Sequence, residues 1–362
     1  MTVYIVLLVV VAILGLMAVK RPSTVKSNAQ NNLSLEEVKK PNWFIVWLIF
    51  LCIAFVGSFR YNVGTDFFSY FKNDRWAGKF NKGDYSEPGF TLLAIICEKL
   101  FGTQSAALTI VSATITVALF IFTIAKRQES FPLSIILFVF TGVFTGMFNG
   151  LRQYLAAAIL FSGYHFVVNK KPIRWLIVVL LASCFHTTAL LMFFIYFVCN
   201  LKCNWGLVFL YLTIAAVLLF AYEPLFDLVG ALKQEEVDMN EAYMKTSVNI
   251  LRVAVQCVPI GMLLFLDKNK INEDKECRFL LNVCLLNAAI AVAAMNSAYL
   301  SRFWIYTSCF QTLMYPKIFS KMKKRSRELF IVAMLFFYAL FWAYEIINAP
   351  SLYNYYWVFD YL

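Results

Sequence analysis

Only two histidines occur in 362 residues, and charged side chains make up just 15% of them, so acid–base chemistry has few carriers to choose from. No stretch carries two His four apart or a Glu-x-x-His, the helical spacing of an integral metal site. No Gly-rich phosphate loop follows a strand, and G-x-S-x-G is missing, which removes P-loop and α/β-hydrolase chemistry. The nine cysteines form no CxxC, and their nearest pair, Cys199 and Cys203, is a CxxxC at a membrane edge. They read as small buried hydrophobes, with neither a disulfide framework nor a zinc site. There is no internal repeat and no low-complexity tract.

What fills the chain instead is apolar: 61% hydrophobic and 17% aromatic residues, with a mean hydropathy of +0.69. A soluble domain is nearer half apolar. The expected fold is all-α, a polytopic integral membrane helix bundle forming a single transmembrane domain over residues 1–362. At roughly 20 residues per crossing, the apolar runs amount to about 11–12 membrane segments. The first run, Thr2 to Val19, has no positive charge before it and Lys20-Arg21 after it, the reverse of a signal peptide, so it is expected to stay as the first helix. The net charge of +11 does not indicate nucleic acid, because Lys and Arg gather in short loops between spans.

Those loops orient the chain. Lys20, Arg21, Lys26, Lys39 and Lys40 place the linker Lys20–Lys40 in the cytoplasm and the N-terminus outside. Asn42 to Phe59 then delivers Arg60 to the outer face. Residues 60–104 form an external loop whose apolar part, Pro88 to Phe101, is too short to span and lies on or dips into the interface. Residues 223–247, with Glu223, Asp227, Glu235, Glu236, Asp238 and Glu241, form a second external loop.

The run from Ile173 to Cys199 decides the rest. It is long for one crossing and short for two. As one crossing it would put Lys317, Lys321, Lys323, Lys324, Arg325 and Arg327 outside, against the positive-inside rule. As a hairpin turning at His186, it leaves every basic loop inside and both termini outside. Non-helical backbone at membrane depth must be buried in protein or line a wet cavity, so the Phe185-His186-Thr187-Thr188 turn implies an outward-open, hydrated cavity.

This topology collects Arg60, Tyr61, Asp66, Tyr70, Glu87, Arg152, Gln153, His186, Asn296, Tyr299 and Arg302 at outer helix ends. Ionisable groups at membrane depth are costly and are functional candidates by default. Converging guanidinium forks match phosphate oxygens, and a histidine can serve as general base near neutral pH. Each arginine alone can equally snorkel to a headgroup or pair with Asp66 or Glu87. His186 alone can equally be a buried hydrogen-bonding residue. His165, near the cytoplasmic loop, reads as structural; Glu345 is a weaker candidate.

The blocks Arg60-Tyr61-Asn62-Val63-Gly64-Thr65-Asp66-Phe67, Ser86-Glu87-Pro88-Gly89-Phe90, Leu151-Arg152-Gln153, Phe185-His186 and Ser301-Arg302-Phe303 together resemble the EpsG family, which belongs with the Wzy-type polymerases of exopolysaccharide, capsule and O-antigen. The resemblance implies a GT-C-like glycosyltransferase in the bacterial cytoplasmic membrane that joins oligosaccharide repeat units carried on undecaprenyl pyrophosphate. By the same resemblance, His186, Arg152 and Arg302 are the catalytic candidates, the arginines binding pyrophosphate. Arg60, Tyr61, Asp66, Glu87, Gln153 and Tyr299 are candidates for holding substrate. It implies no required cofactor, although Asp66 and Glu87 could hold Mg2+ against a pyrophosphate. Membrane lipid, a flippase and a chain-length regulator are the implied partners. A flippase, a ligase and a membrane O-acyltransferase are the alternatives. The last would need acyl delivery from the cytoplasm, and a transporter often shows the internal repeats that are missing here.

Overall fold

The computed structural model describes residues 1–19, 41–71, 73–233 and 246–361. The basic linker Lys20–Lys40 and most of the acidic loop, residues 234–245, lie outside the described residues. Helices account for most of the described residues, and the only sheet among them is a two-stranded antiparallel pair, Arg60–Tyr61 with Tyr356–Trp357.

Three helices, Ala107–Arg127, Lys275–Ala293 and Lys324–Ile347, are by themselves long and apolar enough to cross a bilayer. The other passes are shorter or built from pieces, and sequence explains the breaks. Phe131–Phe140 ends before Gly142, whose φ of +78° restarts the chain as Val143–Gly146. The pass after Arg302 is assembled from a 3-10 turn, Ile305–Ser308 and Gln311–Ser320. Proline opens Pro88–Phe101, Phe131–Phe140 and Pro172–Ser183 within their first two positions, where its missing N–H costs nothing. One contiguous core of buried side chains runs from Tyr4 to Leu352. Inside it, Gln256 Oε1 accepts from Asn287 at 2.6 Å and from Gln311 at 2.8 Å, and Asn287 Oδ1 accepts from Thr307 at 2.8 Å. Such bonds join helices where no water competes. All nine cysteines are free thiols.

The bundle has two ends of different character. At one end the bridge between Val19 and Pro41 closes the first helical hairpin. There Lys317 pairs with Glu129 at 2.6 Å and Asp274 at 3.3 Å, and Lys321 pairs with Asp274 at 3.0 Å. Lys317 is thus part of an ion network on the helix Gln311–Ser320, which runs on into the segment Pro316–Arg327 that the sequence predicts as a basic loop.

At the opposite end the N-terminal ammonium donates to Tyr353 O at 2.8 Å, and Gly64 N donates to Ser351 O at 2.9 Å. Both chain ends therefore share one end of the bundle with the Arg60–Asp66 block. The predicted start of the second acidic loop differs: residues 223–233 continue the helix Trp205–Lys233.

The predicted hairpin is present. Pro172–Ser183 climbs to His186, where the backbone turns extended (φ −155°, ψ 117°), and Thr187–Phe194 with Ile195–Val198 returns beside it. Asn200 Nδ2 reaches Val167 O at 3.3 Å, so both feet of the hairpin stand at the basic end. Twelve helical residues rise about 18 Å, well short of a hydrocarbon core about 30 Å thick. The tip is therefore sunk within the bundle, with the 60–104 segment folded over it.

Candidate active site

The helix Pro88–Phe101 sets the site because its N-terminus caps the C-terminus of another helix. Gly89 N and Phe90 N donate to Cys184 O at 2.9 and 3.1 Å, satisfying a carbonyl that Pro172–Ser183 leaves free at its end. The positive end of one helix dipole thus meets the negative end of the other. Gly89 keeps the approach close, since a Cβ there would stand 3.0 Å from Cys184 Cβ and 3.1 Å from its carbonyl oxygen, and the neighbours would have to give by a few tenths of an ångström. The docking is reinforced by Thr187 Oγ1, which donates to Ser86 O at 3.1 Å.

This places Glu87, at the N-cap of Pro88–Phe101, directly against the hairpin tip. Its Oε1 lies 2.7 Å from His186 Nδ1, and its Oε2 accepts from Arg152 Nη1. Glu87 is 5% exposed, His186 17% and Arg152 22%, so the bridge is largely desolvated but open on the His and Arg side. Burial pushes the Glu87 carboxyl up. The His186 hydrogen bond and the Arg152 charge outweigh it and hold the group below its ordinary range. With Nδ1 bonded to a carboxylate, Nε2 is the imidazole nitrogen left to exchange a proton with a ligand. The same logic orients histidine in hydrolytic triads.

Arg152 is held on three further sides. Its Nε donates to Tyr70 Oη at 3.4 Å, and its guanidinium lies 4.3 Å over the Trp76 ring and 5.9 Å from that of Phe90. Asn149, at the turn before it, accepts from Thr65 N at 2.8 Å and so ties the 60–66 block to this helix. Gly64 needs its positive φ of +93° and its bare Cα, because a Cβ would collide with the Phe148 carbonyl.

Asp66 lies at the margin. Burial raises its carboxyl, against a hydrogen bond from Thr65 and the charges of Arg302 and Arg152. Arg302 is exposed, and its main-chain oxygen accepts from Gln153 Nε2 at 2.7 Å. Gln153 therefore spends its amide on positioning Arg302.

The structure brings Glu87, His186 and Arg152 into contact, with Asp66, Arg302 and Gln153 around them. Three predicted residues stand apart. Arg60 is buried; it donates to Val63 O at 3.2 Å and to Gly57 O, and stacks 4.4 Å over Phe148. Its fork is consumed by main chain, and it braces the turn below the site. Tyr61 stacks on Tyr361 at 4.1 Å in an aromatic layer beside the termini. Tyr299 meets Phe303 edge-on at 6.4 Å and is half-buried. His165 sits beside Phe166 with its Nδ1 3.2 Å from Ser162 O, remote from the cluster, and Glu345 pairs with Arg252 at 2.7 Å.

Sequence reasoning missed Trp76, which floors Arg152, and Tyr306, whose hydroxyl bonds Thr188 at 2.7 Å beside the hairpin tip. The signal for Trp76 was an aromatic beside Arg75 in an otherwise polar loop. For Tyr306 no signal distinguishes it from the neighbouring aromatics. No group of three or more His, Cys, Asp or Glu is arranged to hold a metal among the described residues; Glu87 Oε1 faces His186 and Oε2 faces Arg152.

A family model described as the EpsG family matches residues 43–359. The chain belongs to the EpsG family. The match takes in every cluster residue from Asp66 to Arg302. The EpsG family is bacterial and is associated with Wzy-like polymerases, which makes this chain a membrane protein of polysaccharide biosynthesis. No curated protein and no solved structure matches it.

Proposed function

We propose that this EpsG protein is a GT-C-like polysaccharide polymerase joining undecaprenyl pyrophosphate-linked oligosaccharide repeat units at the outer leaflet of the cytoplasmic membrane. The observation that carries the reading is the Glu87 bridge between His186 and Arg152, at the end of the bundle opposite the basic loops. With the basic end inside, the cluster and both termini face outward, where flipped lipid-linked units are found.

In this mechanism a terminal hydroxyl of one unit attacks the anomeric carbon of the donor chain. The new C–O bond forms as the bond from that carbon to the diphosphate oxygen breaks. The hydroxyl proton passes to His186 Nε2, and Glu87 stabilises the imidazolium that results. Arg152 and Arg302 stabilise the charge gathering on the departing polyprenyl diphosphate. One displacement inverts the anomeric centre; a linkage that kept the donor's configuration would exclude this step. A flippase supplying the units and a chain-length regulator are the partners this activity needs. Exopolysaccharide, capsule and O-antigen are equally served by it.

The test is polymer length in cells carrying His186→Ala, Arg152→Ala or Arg302→Ala at matched protein levels. Loss of long polymer with single lipid-linked units still displayed outside supports the reading. Unchanged polymer in all three would sink it, and units trapped inside would make the protein a flippase.

A further inference from the structure

Beside Arg152 lies a cavity of about 360 Å3 lined by Arg75, Trp76, Lys79, Lys82, Asp84 and Arg152. Four cations face one carboxylate there. Asp84 is taken by Lys79 at 2.8 Å, and Arg152 is balanced by Glu87. Arg75 reaches only the Ser69 hydroxyl, at 3.3 Å, and neither Arg75 nor Lys82 has a carboxylate partner among the described residues. The positive charges are also held together by design of the packing: the buried Trp76 ring has Arg152 at 4.3 Å, Lys79 at 5.3 Å and Arg75 at 5.5 Å. Cations gathered on one aromatic ring repel each other, and an anionic ligand relieves that repulsion.

The origin of the lining says which part of a substrate it meets. Its residues come from the short helix Asn73–Ala77, the 3-10 turn Phe80–Lys82 and the link to Glu87, none of them an apolar span. Arg152 is the one contribution from the buried bundle helix Leu151–Gly163. A diphosphate bonded to a polyprenyl chain must stay where its tail reaches hydrocarbon, whereas this cavity opens among polar loop residues. Arg152 can serve the diphosphate from the cavity's edge, but an anion held by Arg75 and Lys82 belongs to the sugar.

Resting on the polymerase reading, we infer that this cavity is a subsite for a carboxylated sugar, of the hexuronate class, within the repeat unit, and that Arg75 and Lys82 determine specificity for it. The carboxylate would be met by the Arg75 fork and the Lys82 ammonium, with the reacting sugar next to Arg152 and His186.

The test uses the full-length protein in lipid nanodiscs, with methyl glucuronide, methyl glucoside and inorganic diphosphate as probes in ligand-observed NMR titrations. The inference expects the glucuronide to bind at least tenfold more tightly than the glucoside, and the Arg75→Gln/Lys82→Gln double variant to erase that difference. Equal binding of the two sugars to the wild-type protein would overturn it. So would diphosphate binding that the double variant abolishes while the glucuronide stays unbound, which would make the cavity a diphosphate site. The sugar preference is read without turnover, so it fails separately from the polymerase reading, which stands or falls on polymer length in the His186→Ala strain.

Discussion

Glu87 and His186 stand 2.7 Å apart across 99 residues of sequence, joined because one helix N-terminus docks on another helix's end. The carboxylate holds the imidazole and, through its second oxygen, Arg152. A shape-preserving Glu87→Gln change should therefore reduce polymer formation by about 100-fold, the scale expected when a reacting group loses its alignment. Glu87→Asp should recover part of it. Turnover measured against pH in membranes separates this positioning role from simple unfolding, since only the former alters the profile of protein that remains folded.

The same substitution has a stability signature. The Glu87 carboxyl titrates below its ordinary value in the folded protein, so its hydrogen bond with His186 and its pairing with Arg152 stabilise the fold above the ordinary carboxylate range and are lost as pH falls through the lowered value. Thermal unfolding of wild type and Glu87→Gln should differ at neutral pH, by about 3 kcal/mol for a broken buried pair. The two should converge on acidification below about pH 4.3, the ordinary glutamate value. A gap that persisted at low pH would contradict this account.

Asp66 has the opposite sign. Burial raises its carboxyl, so ionisation costs stability as pH rises from the ordinary aspartate range through the raised value. Asp66→Asn is expected to melt at the same or a higher temperature at neutral pH while making less polymer. A lower melting temperature would show the charge to be a structural partner instead.

Gly89→Ala tests the docking of the two helices. The added methyl meets Cys184 Cβ at 3.0 Å and the Phe185 ring at 3.3 Å, and relief requires the hairpin tip to move away from Glu87. Polymer formation should fall at least tenfold, on the scale of a displacement well under 1 Å, with protein still inserted in the membrane. Full activity would show that the tip is not fixed by this contact.

Arg60→Met separates folding from chemistry. Arg60 is buried and donates to main-chain carbonyls of Gly57 and Val63, so its loss leaves unsatisfied acceptors, at about 1–3 kcal/mol. Less folded protein is expected, with activity per folded molecule preserved. A defect in activity with normal folding would return Arg60 to the substrate site.

Sequence alone determined the class of fold and the gathering of basic loops at one end of the bundle, because crossing a bilayer demands apolar length and basic residues cluster between the apolar runs. It also located the hairpin, since no other path for Ile173–Cys199 kept Lys317–Arg327 with the remaining basic segments. The pairing of helix ends was not legible, because it depends on hydrogen bonds between carbonyls and N–H groups that every residue carries. Only the tertiary structure could show that Glu87 lies between His186 and Arg152, that Arg60 spends its donors on main chain, and that Trp76 gathers cations from a loop and a bundle helix. Composition and period fix which surfaces are buried. Which buried side chains meet is decided by long-range packing, and in this protein the candidate chemistry depends on that packing.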